Sequence, residues 1–373
     1  MSEYQYYEFQ AIDRPLTQEE QQAVARLSSR VDPHPRQAVF VYNWSDFPGD
    51  PAEILTRYYD AMLYMANWGS RQLMFRFPKS LLDLEGVRAY CQPPIVEDYI
   101  SCSTVGEHAI LDIQFADEEG DGWAEGEGWL PAIIGLRDDI LRGDYRALYL
   151  AWLKTLEMED LLDSVSEPPV PPGLNKLSPA LRTFVDFFEI DDVLIRLAAE
   201  ASGDRKTASE GWLRSAMALL PEEERDGFLL RLAQGEAHLS VELNRRLRQV
   251  APMPEPELQP PRTVGQLLRE AEERRERERR RRAKEAEARR VQELETLAKR
   301  EAQTWEEVDT LIQQTQAKAY GEAVRLLLKL RELARYQGQE ETFRQRLNHI
   351  YEQYYRRSAL LRRLHEAGLY RNP

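Results

Sequence analysis

The chain has 373 residues, 42% of them hydrophobic, and a net charge of −14. That length predicts two or three folding units, and no window approaches the roughly 18 apolar residues of a membrane span, so a membrane partner is not expected. Residues 1–168 hold 13 Lys and Arg against 30 Asp and Glu, a net of −17, while the remainder holds 37 against 34; so acidic an N-terminal surface repels nucleic acid and attracts cations or basic partners.

Met1-Ser2-Glu3 leads into no apolar run, so no signal peptide is expected. Cys91 and Cys102 lack zinc-ligand spacing, and a lone pair suits a reducing cytoplasm. Alternation at Tyr7, Phe9 and Ala11, at Leu73, Phe75 and Phe77, and at Leu111, Ile113 and Phe115 predicts strands with one buried face. Helical spacing predicts helices over 17–28, 50–68, 81–90 and, broken near Gly143, 130–159. Asp50 and Pro51 make a cap and first-turn pair for the second of these. The expected fold class is an α+β domain over 1–166, a mixed sheet covered on one face by helices, followed by all-α segments.

Two proline-rich stretches, 167–173 and 252–262, read as connectors, because proline removes amide donors and stops helices. Between them, Ser178-Pro179 before Leu181, Phe184, Val185 and Phe188 opens a helical bundle over 174–251. Thr263 and Gln266 form a capping-box pattern ahead of a long charged helix over 263–303. From Glu272 to Arg290 its only apolar residues are Ala283, Ala286 and Ala288, so no heptad seam runs there. Glu270 with Arg274, Glu273 with Arg277, Glu276 with Arg280 and Glu278 with Arg282 are spaced for i,i+4 ion pairs. A third capping box at Thr304 to Glu307 begins helical hairpins over 304–373.

Chemistry-bearing motifs are few. Asp117, Glu119, Asp121 and Glu125 fall on ligand positions of a calcium loop with Gly122 at the turn, but Gly128 stands where the bidentate glutamate belongs. An acidic solvated loop is the commoner reading, so no metal or other cofactor is expected. Trp44, Phe47 and Asp50 put large rings beside a carboxylate in one loop, a combination suited to gripping a partner's apolar or cationic side chain. Arg279, Arg280, Arg281, Arg282 and Lys284 could grip phosphates, although glutamates are interleaved and 264–303 holds 13 basic and 10 acidic residues. The five histidines are dispersed, and no nucleophile elbow or phosphate loop occurs.

Tyr4 to Leu16, Gly126 to Leu130 and Gly143 to Leu153 together resemble a widespread bacterial family that brings no activity with it. The tail from Tyr320 through Leu369 is similar to the C-terminal helical tail of some SWIM-type zinc-finger proteins, without the finger's Cys-x-Cys and Cys-x-His pairs. That resemblance implies a helical interaction tail. The expected function is a non-enzymatic, cytoplasmic adaptor that binds protein partners through its acidic domain and C-terminal helices. The alternatives are an accessory part of a nucleic-acid system acting through the Arg-rich helix, and an enzyme whose carboxylates meet only in three dimensions.

Overall fold

The computed structural model describes residues 4–28, 31, 33–43, 47–116, 126–158, 163–204, 209–252 and 261–371. It divides into two compact units, residues 1–274 and 275–373. In the first, six strands form one sheet: β1 Gln5–Gln10, β2 Gln37–Tyr42, β3 Ala61–Ala66, β4 Ser70–Pro78, β5 Ile100–Val105 and β6 His108–Ala116, in the order β2-β1-β3-β4-β6-β5. Helices follow, so the chain is α+β and then all-α. The sheet is antiparallel throughout and not mixed. Short turns close the β3–β4 and β5–β6 hairpins, which parallel neighbours, needing long crossovers, could not use. β5 and β6 are joined by Gly106 and Glu107 alone, with Gly106 at φ +56°, as a tight hairpin requires.

β3 occupies a stretch where the spacing predicts helix. Asp50 caps α2 (Pro51–Tyr58) by accepting from the Ala52 amide at 2.8 Å, as expected, but the helix stops at Tyr58. Residues 61–66 become an interior strand buried on both faces, so their unbroken apolar run shows no alternation. Leu63 and Met65 enter one core with Leu73, Phe75 and Leu111; Met62 enters the other with Phe9 and Phe40. Both faces of the sheet are thus covered, not one. α1 (Gln18–Ala25) and α2 bring Val24, Ile54 and Leu55 to the second face. The first is covered by α4 (Trp129–Ile133), α5 (Gly135–Leu141), α6 (Arg146–Met158), α7 (Pro179–Phe188) and α8 (Asp192–Ala201), while α3 (Leu84–Arg88) adds Val87.

The proline-rich stretch 167–173 is therefore not a connector between separate bodies. Beyond it, Ser178 caps α7 as expected, and Phe184, Phe188 and Leu194 bury into the same core as the sheet. Glu167, only 4% exposed, accepts two hydrogen bonds from Arg262 at 2.8 and 2.9 Å and one from the Tyr149 hydroxyl. Ser166 and Thr263 form a β-bridge, and Gly265 passes so near Asp163 that a Cβ there would lie 2.7 Å from its carboxyl carbon. The start of the long helix is thus fastened to the sheet domain. α9 (Glu210–Ala218) and α11 (Leu239–Val250) share a small core of their own, Ala216, Leu220 and Leu247, and α10 (Glu222–Ala233) lies between them in the chain.

α12 spans Val264–Ala298 and opens with the expected capping box, Thr263 N to Gln266 Oε1 at 2.9 Å and Gln266 N to Thr263 Oγ1 at 3.3 Å. Of the expected ion pairs, Glu276 with Arg280 forms at 2.5 Å; Arg274 pairs with Glu200 and Glu270 with Arg262. In the second unit, α13 (Glu301–Gln313), α14 (Ala317–Gln337), α15 (Glu340–Gln353) and α16 (Ser358–Glu366) bury Leu327, Leu347, Ile350 and Leu360. The expected cap at Thr304 is corrected: it lies inside α13 and donates its hydroxyl back to the Arg300 carbonyl at 3.0 Å. Among the described residues, no helix is long and apolar enough to cross a membrane.

Candidate partner-docking groove

α9 and α11 are amphipathic helices, and α10 beside them buries none of its residues. Ser209 caps α9 by accepting from the Trp212 amide at 3.1 Å, and three glutamates in the first turn of α10 suit the positive end of its dipole. α10 then carries Phe228, Leu229, Leu230 and Leu232 almost in succession, which spreads apolar side chains over more than one helical face. None of its residues is buried. Ion pairs hold it instead: Arg231 to Glu236 at 2.5 Å and Glu242 at 2.7 Å, and Arg246 to Glu224 at 2.6 Å. Its leucines 229, 230 and 232 stay 61–63% exposed, as do Met217 at 42% and Leu219 at 60% on the neighbouring segment.

Between the three helices lies a groove of about 590 Å³, floored by Met217, Phe228, Leu232, Leu239 and Leu243 and edged by Arg214 and Arg225. Arg214 is paired with Glu210 at 2.6 Å; Arg225 makes no ion pair among the described residues. Monomeric surfaces seldom leave large apolar side chains together in water. In the sequence the run Phe228 to Leu232 makes an apolar stripe of the kind a helical bundle buries.

The residues singled out from sequence fare differently. Asp117, Glu119, Asp121, Glu125 and Trp44 lie outside the described residues. Phe47 is not at a surface for partners: its ring packs 4.6 Å from that of Tyr7 and 5.0 Å from that of Phe40, because an aromatic beside the sheet's second face is worth more buried than wet. Asp50 is occupied as a helix cap. Arg279, Arg280, Arg281, Arg282 and Lys284 are all exposed on α12; Arg280 and Arg281 are paired with Glu276 and Glu285.

Carboxylates do meet in three dimensions. Asp60, 1% exposed, accepts from the amides of Ile12 and Asp13 and from Arg76, while Arg137, equally buried, grips both oxygens of Asp13 at 2.8 Å. His238 Nε2 stands 3.0 Å from Asp13 without the alignment of a hydrogen bond. Although burial opposes the charge on Asp13, the nearby His238 and the hydrogen-bonded guanidinium of Arg137 hold its carboxyl well below the usual range, so it has no proton to give near neutrality. Burial pushes the Cys91 thiol up to about 12, so this thiol is not a nucleophile at neutral pH.

Asp112 behaves oppositely. It sits among Met74 and Ile110 on the sheet's second face, and burial raises its carboxyl to about 6 against the opposing hydrogen bonds from Gln72 at 2.8 and 3.0 Å. A folded value above the unfolded one means that the stabilisation by protonation is present below the unfolded value and is lost as pH rises through about 6. Asp112→Asn should therefore raise stability at pH 8 by on the order of 1 kcal/mol and change little at pH 4. Urea denaturation at the two pH values checks this, and equal stability at pH 8 would contradict it.

Comparison with known proteins returns no matching family model, curated relative or solved structure.

Proposed function

We propose that the protein is a non-enzymatic adaptor that takes an amphipathic helix of a partner protein into the α9–α11 groove. The observation that carries this reading is α10, a helix with no buried residue whose leucines 229, 230 and 232 remain more than half exposed. A groove between helices, lined by leucine, methionine and phenylalanine, suits a helix that offers apolar anchors at i, i+3, i+4 and i+7. The unpaired Arg225 and the half-committed Arg214 at its edges select acidic residues beside those anchors. A second reading, nucleic acid on α12, is favoured by Arg279, Arg282 and Lys284, which are exposed and make no ion pair among the described residues.

The test is fluorescence anisotropy with designed helices that carry the same leucine stripe flanked by glutamate, by lysine, or scrambled. The glutamate-flanked helix should bind at least tenfold more tightly than the other two. Leu229→Glu with Leu232→Glu should abolish that binding while leaving the circular dichroism unchanged, because both side chains are largely in water already. Equal binding of all three helices would overturn the reading. So would self-association of the protein that the same double variant breaks, since a second copy would then be the occupant.

A further inference from the structure

α11 presents a different chemistry away from the groove. There it meets the turn between α5 and α6 across a cleft of about 300 Å³ lined by Arg142, Arg245, Arg248, Tyr145, Asn244 and Asp83, among others. Three guanidinium groups thus face one carboxylate, inside a domain whose acidic residues otherwise outnumber its basic ones two to one. That carboxylate is already engaged: Asp83 accepts from the Tyr145 hydroxyl at 2.9 Å through one oxygen and from the Gly86 amide at 3.1 Å through the other. Arg142 has a loose pair, 3.5 Å to Asp138, with both side chains nearly half exposed.

Arg245 and Arg248 make no ion pair among the described residues. Their partners are carbonyl oxygens: Arg245 donates to those of Ser80 and Leu81, and Arg248 to that of Arg142 at 3.2 Å. Gly143 stands at the cleft with φ +80°, a left-handed turn that favours glycine. Carbonyls orient a guanidinium without cancelling its charge, and each fork keeps donors to spare. Two such forks lining one cleft suit a tetrahedral dianion, and the Gln249 amide adds a neutral donor there.

We infer that this cleft binds a small phosphate-bearing anion. Its volume is at the low end for ligand sites, which favours a phosphate or diphosphate group over a larger organic body. The site is independent of the groove, using the opposite side of α11, and stands or falls separately from it.

Calorimetry on the full chain with pyrophosphate and with inorganic phosphate, at fixed ionic strength balanced with chloride, tests the inference. Pyrophosphate should bind at one site, and Arg248→Gln should weaken it by about tenfold or more. Arg245 also ties α11 to the Ser80 and Leu81 carbonyls, so Arg245→Lys is the gentler second variant: it keeps the charge, loses the fork and should weaken binding by a smaller factor. Lys176→Gln with Arg182→Gln, which removes exposed basic residues elsewhere on the unit, should leave the affinity unchanged. Unchanged affinity in Arg248→Gln, an equal loss in the Lys176 and Arg182 double variant, or no heat above the chloride control would each overturn it.

Discussion

A chain ended after Pro261 will lose the cooperative unfolding of its first unit, whereas a chain ended after Glu276 will keep it. The first two turns of α12 belong to the sheet's core: Val264, Leu267 and Ala271 are fully buried there. Losing them forfeits about 1.5–3 kcal/mol for each of the two larger side chains. Removing Arg262 as well leaves Glu167 buried and without its ion partner, a loss of about 3–5 kcal/mol in comparable cases. Together these approach the whole stability of an ordinary domain, about 5–15 kcal/mol. Denaturant titrations of the two truncated chains decide the matter, and a sharp, native-like transition in the 1–261 chain would show that α12 is dispensable.

A connector at 252–262 followed by a charged helix would leave the first unit independent of α12. Glu272 to Arg290 has no apolar face, and that long charged stretch dominates any average over the helix. Yet Val264, Leu267, Leu268 and Ala271 sit at i, i+3, i+4 and i+7, a short but complete stripe that announces burial of the first two turns only. β3 was obscured by the converse effect: a strand buried on both faces has no polar alternation, so Met62 and Met65 continue the helical spacing of α2. The capping signals at Asp50, Ser178 and Thr263 were legible because a cap is set by neighbours in sequence. Thr304 failed as a cap because α13 begins three residues earlier. The docking groove was half legible, its leucine run visible but its exposure decided by how few helices pack on α10. The cleft arginines were invisible, since nothing in sequence brings Arg142 to Arg248.

The buried ionic cluster gives the other large effect. Replacing Arg137 with Met should cost about 3–5 kcal/mol, because it leaves Asp13 and the fully buried Asp60 as neighbouring carboxylates with Arg76 as the remaining guanidinium close by. Methionine preserves much of the volume beside Phe77, over whose ring the guanidinium now lies at 5.5 Å, so the loss would report charge more than packing. Asp13→Asn added to Arg137→Met should recover part of the deficit, a non-additivity of about 1 kcal/mol or more that packing alone does not produce. The pH dependence follows from the depressed carboxyl of Asp13. Its contribution is fully present above the unfolded carboxylate value near ~4 and disappears as pH falls below that toward the folded value. Wild type should therefore lose stability between about pH 4 and 2 more steeply than Asp13→Asn, in which this position no longer titrates. Guanidinium denaturation of the four proteins from pH 7 to 2 measures both quantities. An Arg137→Met midpoint equal to wild type at pH 7, or parallel acid profiles for wild type and Asp13→Asn, would show that these charges do not hold the sheet to its helices.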